Sequence, residues 1–259
     1  MAVLAMACPA VAQERRAELP AGPGTKAELS SGVEYLTGEY GTGEKVETIS
    51  IVNSARVAAG RVIFTASLPY VRIDAPGNVV SGGGLLGLPI IVDPSQPPTR
   101  TRRQGIGDLR LGATLVLPVS AVDVAVLGQV KVPTARRGSL GTGELDYAMG
   151  AEVSKTIGGI TPFGSVTYTL PGQPDGYALR NSISTQVGVG ARLARRVSAQ
   201  VSYGYAQSLS PALSDERQIS SRVTAGLGDR LSLSLYGSAG ASESAPDVAA
   251  GVQLGFRLF

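Results

Sequence analysis

The chain has 259 residues, 34 of them glycine, with a formal net charge of +3, a single cysteine and no histidine or tryptophan. Without histidine, neither imidazole acid–base chemistry nor a Ser–His or Cys–His nucleophile is available, and the lone Cys8 supports no disulfide framework or zinc site. No segment approaches the roughly 18 apolar residues of a transmembrane helix, which leaves a membrane barrel open. The small charge, with no basic cluster interleaved with aromatics, gives no ground for a nucleic-acid partner.

Ala2 to Ala12 is apolar and ends in Ala10-Val11-Ala12. That small-x-small pattern resembles the end of a secretory signal peptide, so residues 1–12 read as a signal-peptide remnant. A short mature arm and an acylated Cys8 are the alternatives. Gln13 to Ser31 is rich in charge, Pro and Gly and reads as a flexible segment. Residues 32–259 then carry period-two alternation, the signal of strands. Twelve strands are placed: Gly32–Tyr40, Val46–Ala58, Arg61–Ile73, a long hairpin within Gly105–Val132, Glu144–Ile157, Ile160–Leu170, Arg180–Leu193, Val197–Gln207, Arg217–Leu227, Leu231–Ala241 and Asp247–Phe259. In the hairpin, Leu109, Leu111, Ala113, Leu115 and Leu117 share one parity, then Val122, Val124, Val126, Val130 and Val132 share one again. The opposite parity carries Asp108, Arg110, Asp123, Gln129 and Lys131.

Short and long connections alternate. Ala59-Gly60, Pro118–Ala121, Gly158-Gly159, Ala194–Arg196 and Gly228–Arg230 are tight, while those between them are longer, the largest being Asp74–Gln104. Tight turns at one rim and long loops at the other are the mark of an outer-membrane barrel. Strands of about twelve residues rise roughly 30 Å when tilted, enough to cross the apolar band. Tyr70, Tyr147, Tyr168 and Tyr205 lie on the apolar parity near the long-loop ends, as an interfacial girdle would. An even strand count lets the first strand pair with the last, which removes both edges. The fold expected is all-β: a closed antiparallel up-and-down transmembrane β-barrel of about 12 strands. A soluble β-sandwich is the alternative.

YLTGEYGTGE (Tyr35–Glu44), SLPYVRI (Ser67–Ile73), GIGDLRLGA (Gly105–Ala113), KVPT (Lys131–Thr134), LGTGELDY (Leu140–Tyr147) and the late PDVAAGVQLGF together resemble a bacterial family of outer-membrane transporters assigned to the MetA pathway of phenol degradation. KVPT followed by LGTGELDY is the most specific pair. The resemblance implies a Gram-negative outer-membrane barrel with a transport role. The barrel of amyloid-secretion channels is similar, but Gln13–Ser31 is too short and broken for their helical extension.

With the apolar parity toward lipid, the other parity places Arg56, Arg61, Arg110, Asp123, Lys131, Glu152, Arg192, Arg222 and Arg257 in the lumen. These residues either select anionic or polar solutes or pair across the lumen as braces. The apolar centre of Asp74–Gln104, at Gly82–Val92, either folds into the mouth or belongs to strands extended above the membrane. The expected function is passive passage of small, aromatic or anionic molecules, with a secretion or structural barrel serving a polypeptide as the alternative. No enzyme activity, cofactor or metal is expected. The expected partners are outer-membrane lipid, a small-molecule solute and the barrel-assembly machinery. Long loops are expected outside the cell, and short turns and both termini in the periplasm.

Overall fold

The computed structural model describes residues 24–81, 90–92, 99–119, 121–137, 140–175 and 178–259. The strands are β1 (Thr25–Gly38), β2 (Val46–Ala59), β3 (Val62–Pro76), β4 (Val79–Ser81), β5 (Ile90–Val92), β6 (Arg100–Ile106), β7 (Leu109–Leu117), β8 (Asp123–Val132), β9 (Asp146–Ser154), β10 (Ile160–Leu170), β11 (Ser182–Ala194), β12 (Val197–Ala206), β13 (Glu216–Gly226), β14 (Leu231–Gly240) and β15 (Val248–Arg257). No helix forms among the described residues.

Twelve antiparallel strands, β1 to β3 and β7 to β15, close into a barrel, because β1 pairs with β15 as well as with β2. Closure spans ten rungs, from Glu28↔Arg257 to Thr37↔Val248. An extra strand, β6, pairs with the upper half of β3 alone, while β7 pairs with the lower half. The two are joined by a bulge. Tyr70 faces Ile106 and Ser67 faces Arg110, so one more residue lies between the rungs on the β6–β7 side than on β3. The Gly107 N–H still reaches the Pro69 carbonyl at 2.8 Å. The bulge reverses parity, so Ile106 points outward, yet Asp108 and Arg110 point in.

The alternation sorts side chains between two surroundings. Leu29, Ile51, Phe64, Val126, Met149, Val166, Val187, Val201 and Val223 are exposed on the outer face. Ser50, Gln200, Ser202, Ser220 and Ser234 are buried on the inner one. Polar inside and apolar outside inverts the soluble arrangement and suits a lipid solvent.

Two differences from the sequence reading stand out, at the two ends of the chain, while Asp74–Gln104 is in part the extended strand that one of its two readings expected. The first strand begins at Thr25, ahead of the expected Gly32. Its lower end carries Lys26, Glu28 and Ser30 toward the lumen, a composition that reads as loop until the inward face is known to be polar. The stretch Asp74–Gln104 is in part extended strand: β3 runs to Pro76, β6 starts at Arg100, and β4 and β5 form a small hairpin between them. Residues 82–89, which include most of the apolar centre, lie outside the described residues, as does the expected signal-peptide remnant at 1–12. The end of the chain leaves the ladder at Leu258, and Phe259 accepts a bond from the Ala27 N–H at 3.2 Å.

Candidate functional site

The inner surface is organised in three storeys, beginning at the long-loop mouth. Here Tyr40, Val46, Ile73, Ala75, Val79, Ala135 and Leu140 form a buried apolar cluster, with Val71 and Leu213 packed against it. Its members come from the β1–β2, β8–β9 and β12–β13 connections and from the raised ends of β2, β3 and β4. Tyr40 reaches the centre because the β1–β2 connection turns sharply, with φ of 52° at Tyr40, 73° at Gly41 and 72° at Gly43. Burial holds the ionisation of the Tyr40 hydroxyl far above its ordinary range. Ser214 and Ser244 hydroxyls meet at 2.8 Å and tie the β12–β13 and β14–β15 connections together at this level. Apolar side chains from three of the long connections thus meet at this end of the barrel.

Below it lies an ionic node. One rung runs Asp146–Lys131–Arg110–Ser67 across β9, β8, β7 and β3. The Lys131 Nζ lies 2.8 Å from Asp146 and 3.4 Å from Asp108, and donates to the Thr142 hydroxyl at 3.2 Å. Lys131 is 0%, Asp146 1% and Asp108 5% exposed. Buried charge at this density needs partners, and the loop backbone supplies them. The Ala135 N–H donates to Asp108 at 3.0 Å and the Gly172 N–H to Asp146 at 2.9 Å. Thr134 fastens the same loop to the bulge: its hydroxyl donates to the Gly107 carbonyl at 2.8 Å and accepts from the Leu109 N–H at 2.9 Å. A Cβ on Gly141 would lie 2.9 Å from an Asp108 oxygen, so only glycine passes there without displacing the carboxylate. Asp108, Lys131, Thr134, Thr142 and Asp146 thus bring GIGD, KVPT and LGTGELDY to one place.

The third storey sits at mid-barrel. A second rung runs Arg222–Tyr236–Gly251–Glu34 across β13, β14, β15 and β1. Gly251 is a slot: a Cβ there would lie 2.3 Å from the Tyr236 ring. The Tyr236 side chain crosses this slot and hydrogen-bonds the buried Glu34 on the far side. Arg222 lies over the Tyr236 ring at 4.7 Å, a cation–π contact, and donates to Gln253 at 3.3 Å. Gln253 in turn donates to Ser30 at 2.9 Å. Around the rest of the wall, β10 to β12 offer Thr161, Thr167, Ser182, Gln200 and Ser202, neutral and buried.

Of the expected lumen residues, Arg56, Arg110, Lys131, Glu152 and Arg222 point inward. Arg61 lies in a turn, while Arg192 and Arg257 keep the inward parity of their strands, opposite Ser198 and Glu28, at the solvent-exposed tight-turn rim. Arg61 is exposed in the β2–β3 turn, because β3 starts one residue later, at Val62. Arg192 is exposed near the foot of β11, beside a register shift between Arg192 and Ala194. Arg257 is exposed at the end of β15. Asp123 opens β8 at the same rim, half-buried. On the outer face, Tyr70, Tyr147 and Tyr168 are exposed near the long-loop ends, and Tyr205 is half-buried with its hydroxyl on Asp215 at 2.7 Å. Tyr35 and Tyr203 add to the outward aromatics. Sequence reasoning did not single out Glu34, Tyr40, Asp146 or Tyr236. Asp146 could have been found within LGTGELDY, and Tyr236 as the one aromatic on the serine parity of its strand.

The barrel matches known outer-membrane structures along nearly its whole length. The COG4313 outer membrane channel from Pseudomonas putida F1 superposes with a TM-score of 0.69 at 14% identity, covering 92% of this chain and 97% of that one. The KdgM porin gives 0.55 at 6% identity, over 88% and 98%. The translocator domain of the autotransporter NalP from Neisseria meningitidis gives 0.54 at 13%, over 95% and 94%. At these identities the likeness is one of fold. No curated protein matches the sequence. The model of the family described as "Putative MetA-pathway of phenol degradation" covers residues 25–258, from the first residue of β1 almost to the end of the chain, and the chain belongs to that family.

Proposed function

We propose that this barrel is a passive outer-membrane channel for small molecules, with long loops facing outward and both termini in the periplasm. The observation that carries the reading is the apolar cluster centred on Tyr40 at the long-loop end, above a polar interior. A solute entering from the long-loop side meets apolar side chains first and hydroxyl, amide and paired ionic groups afterwards. That order favours small aromatic or otherwise apolar solutes with a polar substituent over free anions. The basic groups support the same preference, since Lys131 is held between two carboxylates and Arg222 is held by Tyr236 and Gln253. They act as braces for the wall first.

Planar-bilayer recordings of the refolded full chain test the reading. We expect small, brief openings in the native chain and larger or longer ones after Tyr40→Ala, with phenol in the bath reducing the current. Absence of discrete openings in both forms would overturn it. Openings blocked only by a polypeptide would favour a secretion barrel. Strong anion selectivity would restore the lumen arginines as a filter.

A further inference from the structure

The outer face of the barrel is not uniformly convex. Across β14, β15, β1, β2, β3 and β7 it dips into a trough of about 540 Å³. Two neighbouring rungs build it. In one, Phe256, Leu29, Ala55 and Ala66 are successive cross-strand neighbours; in the other, Leu254, Ser31, Asn53 and Leu68. The floor is Ser31, Asn53, Ala55 and Ala66, all small or polar, while leucines and Phe256 stand around it. On the remaining wall the outward positions include Val126, Met149, Val166, Val187, Val201 and Val223, which fill the same belt with bulk. A volume of this size lies within the range of small-molecule sites.

Ser31 and Asn53 sit near the middle of β1 and β2, where the surroundings are hydrocarbon. The Ser31 hydroxyl donates to the Asn53 side-chain carbonyl at 2.9 Å, and both residues are exposed. That bond occupies the carbonyl oxygen. The neighbouring amide nitrogen has two donors, and no acceptor among the described residues takes them. A bare amide in hydrocarbon is costly. Acyl chains have no acceptor, and lipid ester oxygens lie about 15 Å from the midplane, at the edge of the core. A second copy fits poorly, because two troughs placed face to face enclose a void instead of packing. The occupant that fits has a convex apolar body and one acceptor oxygen.

We infer that this trough is a binding site, reached from within the bilayer, for a neutral apolar small molecule carrying an acceptor oxygen, of the aryl-ketone class. The Asn53 amide binds the oxygen, and Leu29, Leu68, Leu254 and Phe256 hold the rings. The inference depends on the barrel lying in the membrane and is independent of whether its lumen conducts.

The chain has no tryptophan, so one introduced at the rim is a clean reporter. Leu231→Trp and, on the distant β11 wall, Val187→Trp are refolded into phosphatidylcholine vesicles and titrated with benzophenone, an aryl ketone that quenches indole fluorescence. Expected is saturable quenching of Leu231→Trp with a midpoint at least tenfold below that of Val187→Trp. Adding Asn53→Leu to the first reporter should bring the two midpoints within twofold. Leu109→Trp replaces Leu231→Trp if the latter loses its heat-modifiable gel shift. Parallel quenching of both walls, or a midpoint indifferent to Asn53→Leu, would overturn the site. Cross-linked dimers that Asn53→Leu abolishes would assign the trough to a second copy, and overturn it equally.

Discussion

The two ends of the barrel solve the same problem in opposite ways. At the long-loop end, beside exposed pairs such as Arg102–Asp74 and Arg180–Asp215, one group of charges, Lys131 with Asp108 and Asp146, is buried, shared among several partners and set below an apolar cluster. At the tight-turn end, Arg61 and Arg192 are exposed, and the Arg196–Asp229 pair at 2.7 Å keeps 51% and 91% of its side chains in solvent. The difference follows from the connections. A turn such as Ala59-Gly60 has no length to fold back over the lumen, so its charges stay in water, where ion pairs contribute little. The longer connections supply backbone N–H groups and apolar cover, so charge can be taken inside at tolerable cost.

Lys131→Met should break this contrast most strongly. It leaves Asp108 and Asp146 buried with no cation between them, and about 3–5 kcal/mol of stability should be lost, read by urea unfolding in detergent. Adding Asp108→Asn and Asp146→Asn should recover much of the loss, because the uncompensated charge goes with it. Tyr40→Ala comes next. Emptying the centre of the mouth cluster should cost about 3 kcal/mol, toward the low end for a buried aromatic because neighbouring loops can settle, and should raise conductance. Gly251→Ala is smaller, about 1–3 kcal/mol, since the added Cβ must displace the Tyr236 ring. The uncoupling of Tyr236 from Glu34 should appear as a changed tyrosine near-ultraviolet circular dichroism signal.

A pH change sharpens the comparison without mutation. The Asp215 carboxyl sits in the β12–β13 connection and accepts from the Tyr205 hydroxyl at 2.7 Å, the Ser208 N–H at 3.1 Å and Arg180 at 3.2 Å. These donors, the Tyr205 hydroxyl first, hold it below the usual carboxylate range. Its contribution is therefore present above the unfolded aspartate value near 4 and is lost as the pH falls through the lower folded value. Hydrogen exchange of residues 207–215 should be insensitive to protonation between pH 7 and 5, apart from the intrinsic rate, and loosen only below about 4. At the opposite rim, Arg196→Ala should change stability by no more than about 0.5 kcal/mol, the smallest effect of the set. A larger loss there would mean that the tight-turn end is not merely solvated.

Much of this barrel was readable from period-two alternation and the sorting of connection lengths, because lipid outside and a polar interior leave opposite signatures on successive residues. The bulge was not readable: nothing in GIGD marks where β6 stops pairing and β7 begins. Nor was the convergence of Asp108, Lys131 and Asp146, each visible as a polar residue in a separate motif. Their meeting is set by register, and a one-residue slip would turn Lys131 toward lipid. Glu34 and Tyr236 were hidden for a related reason, since their link crosses a glycine on a third strand that adjoins them only after closure.

That last contact carries information about time. Tyr236 on β14 and Glu34 on β1 lie near opposite ends of the chain, as do Gln253 and Ser30, which are 223 residues apart in sequence. Neither pair can form until almost every hairpin is made and the first strand finds the last. Contacts of such long separation are the slowest to be rewarded during assembly. The Gly251 slot is therefore a timer's end-stop: filling it should leave the rate of folding nearly unchanged and show instead in how fast a finished barrel comes undone.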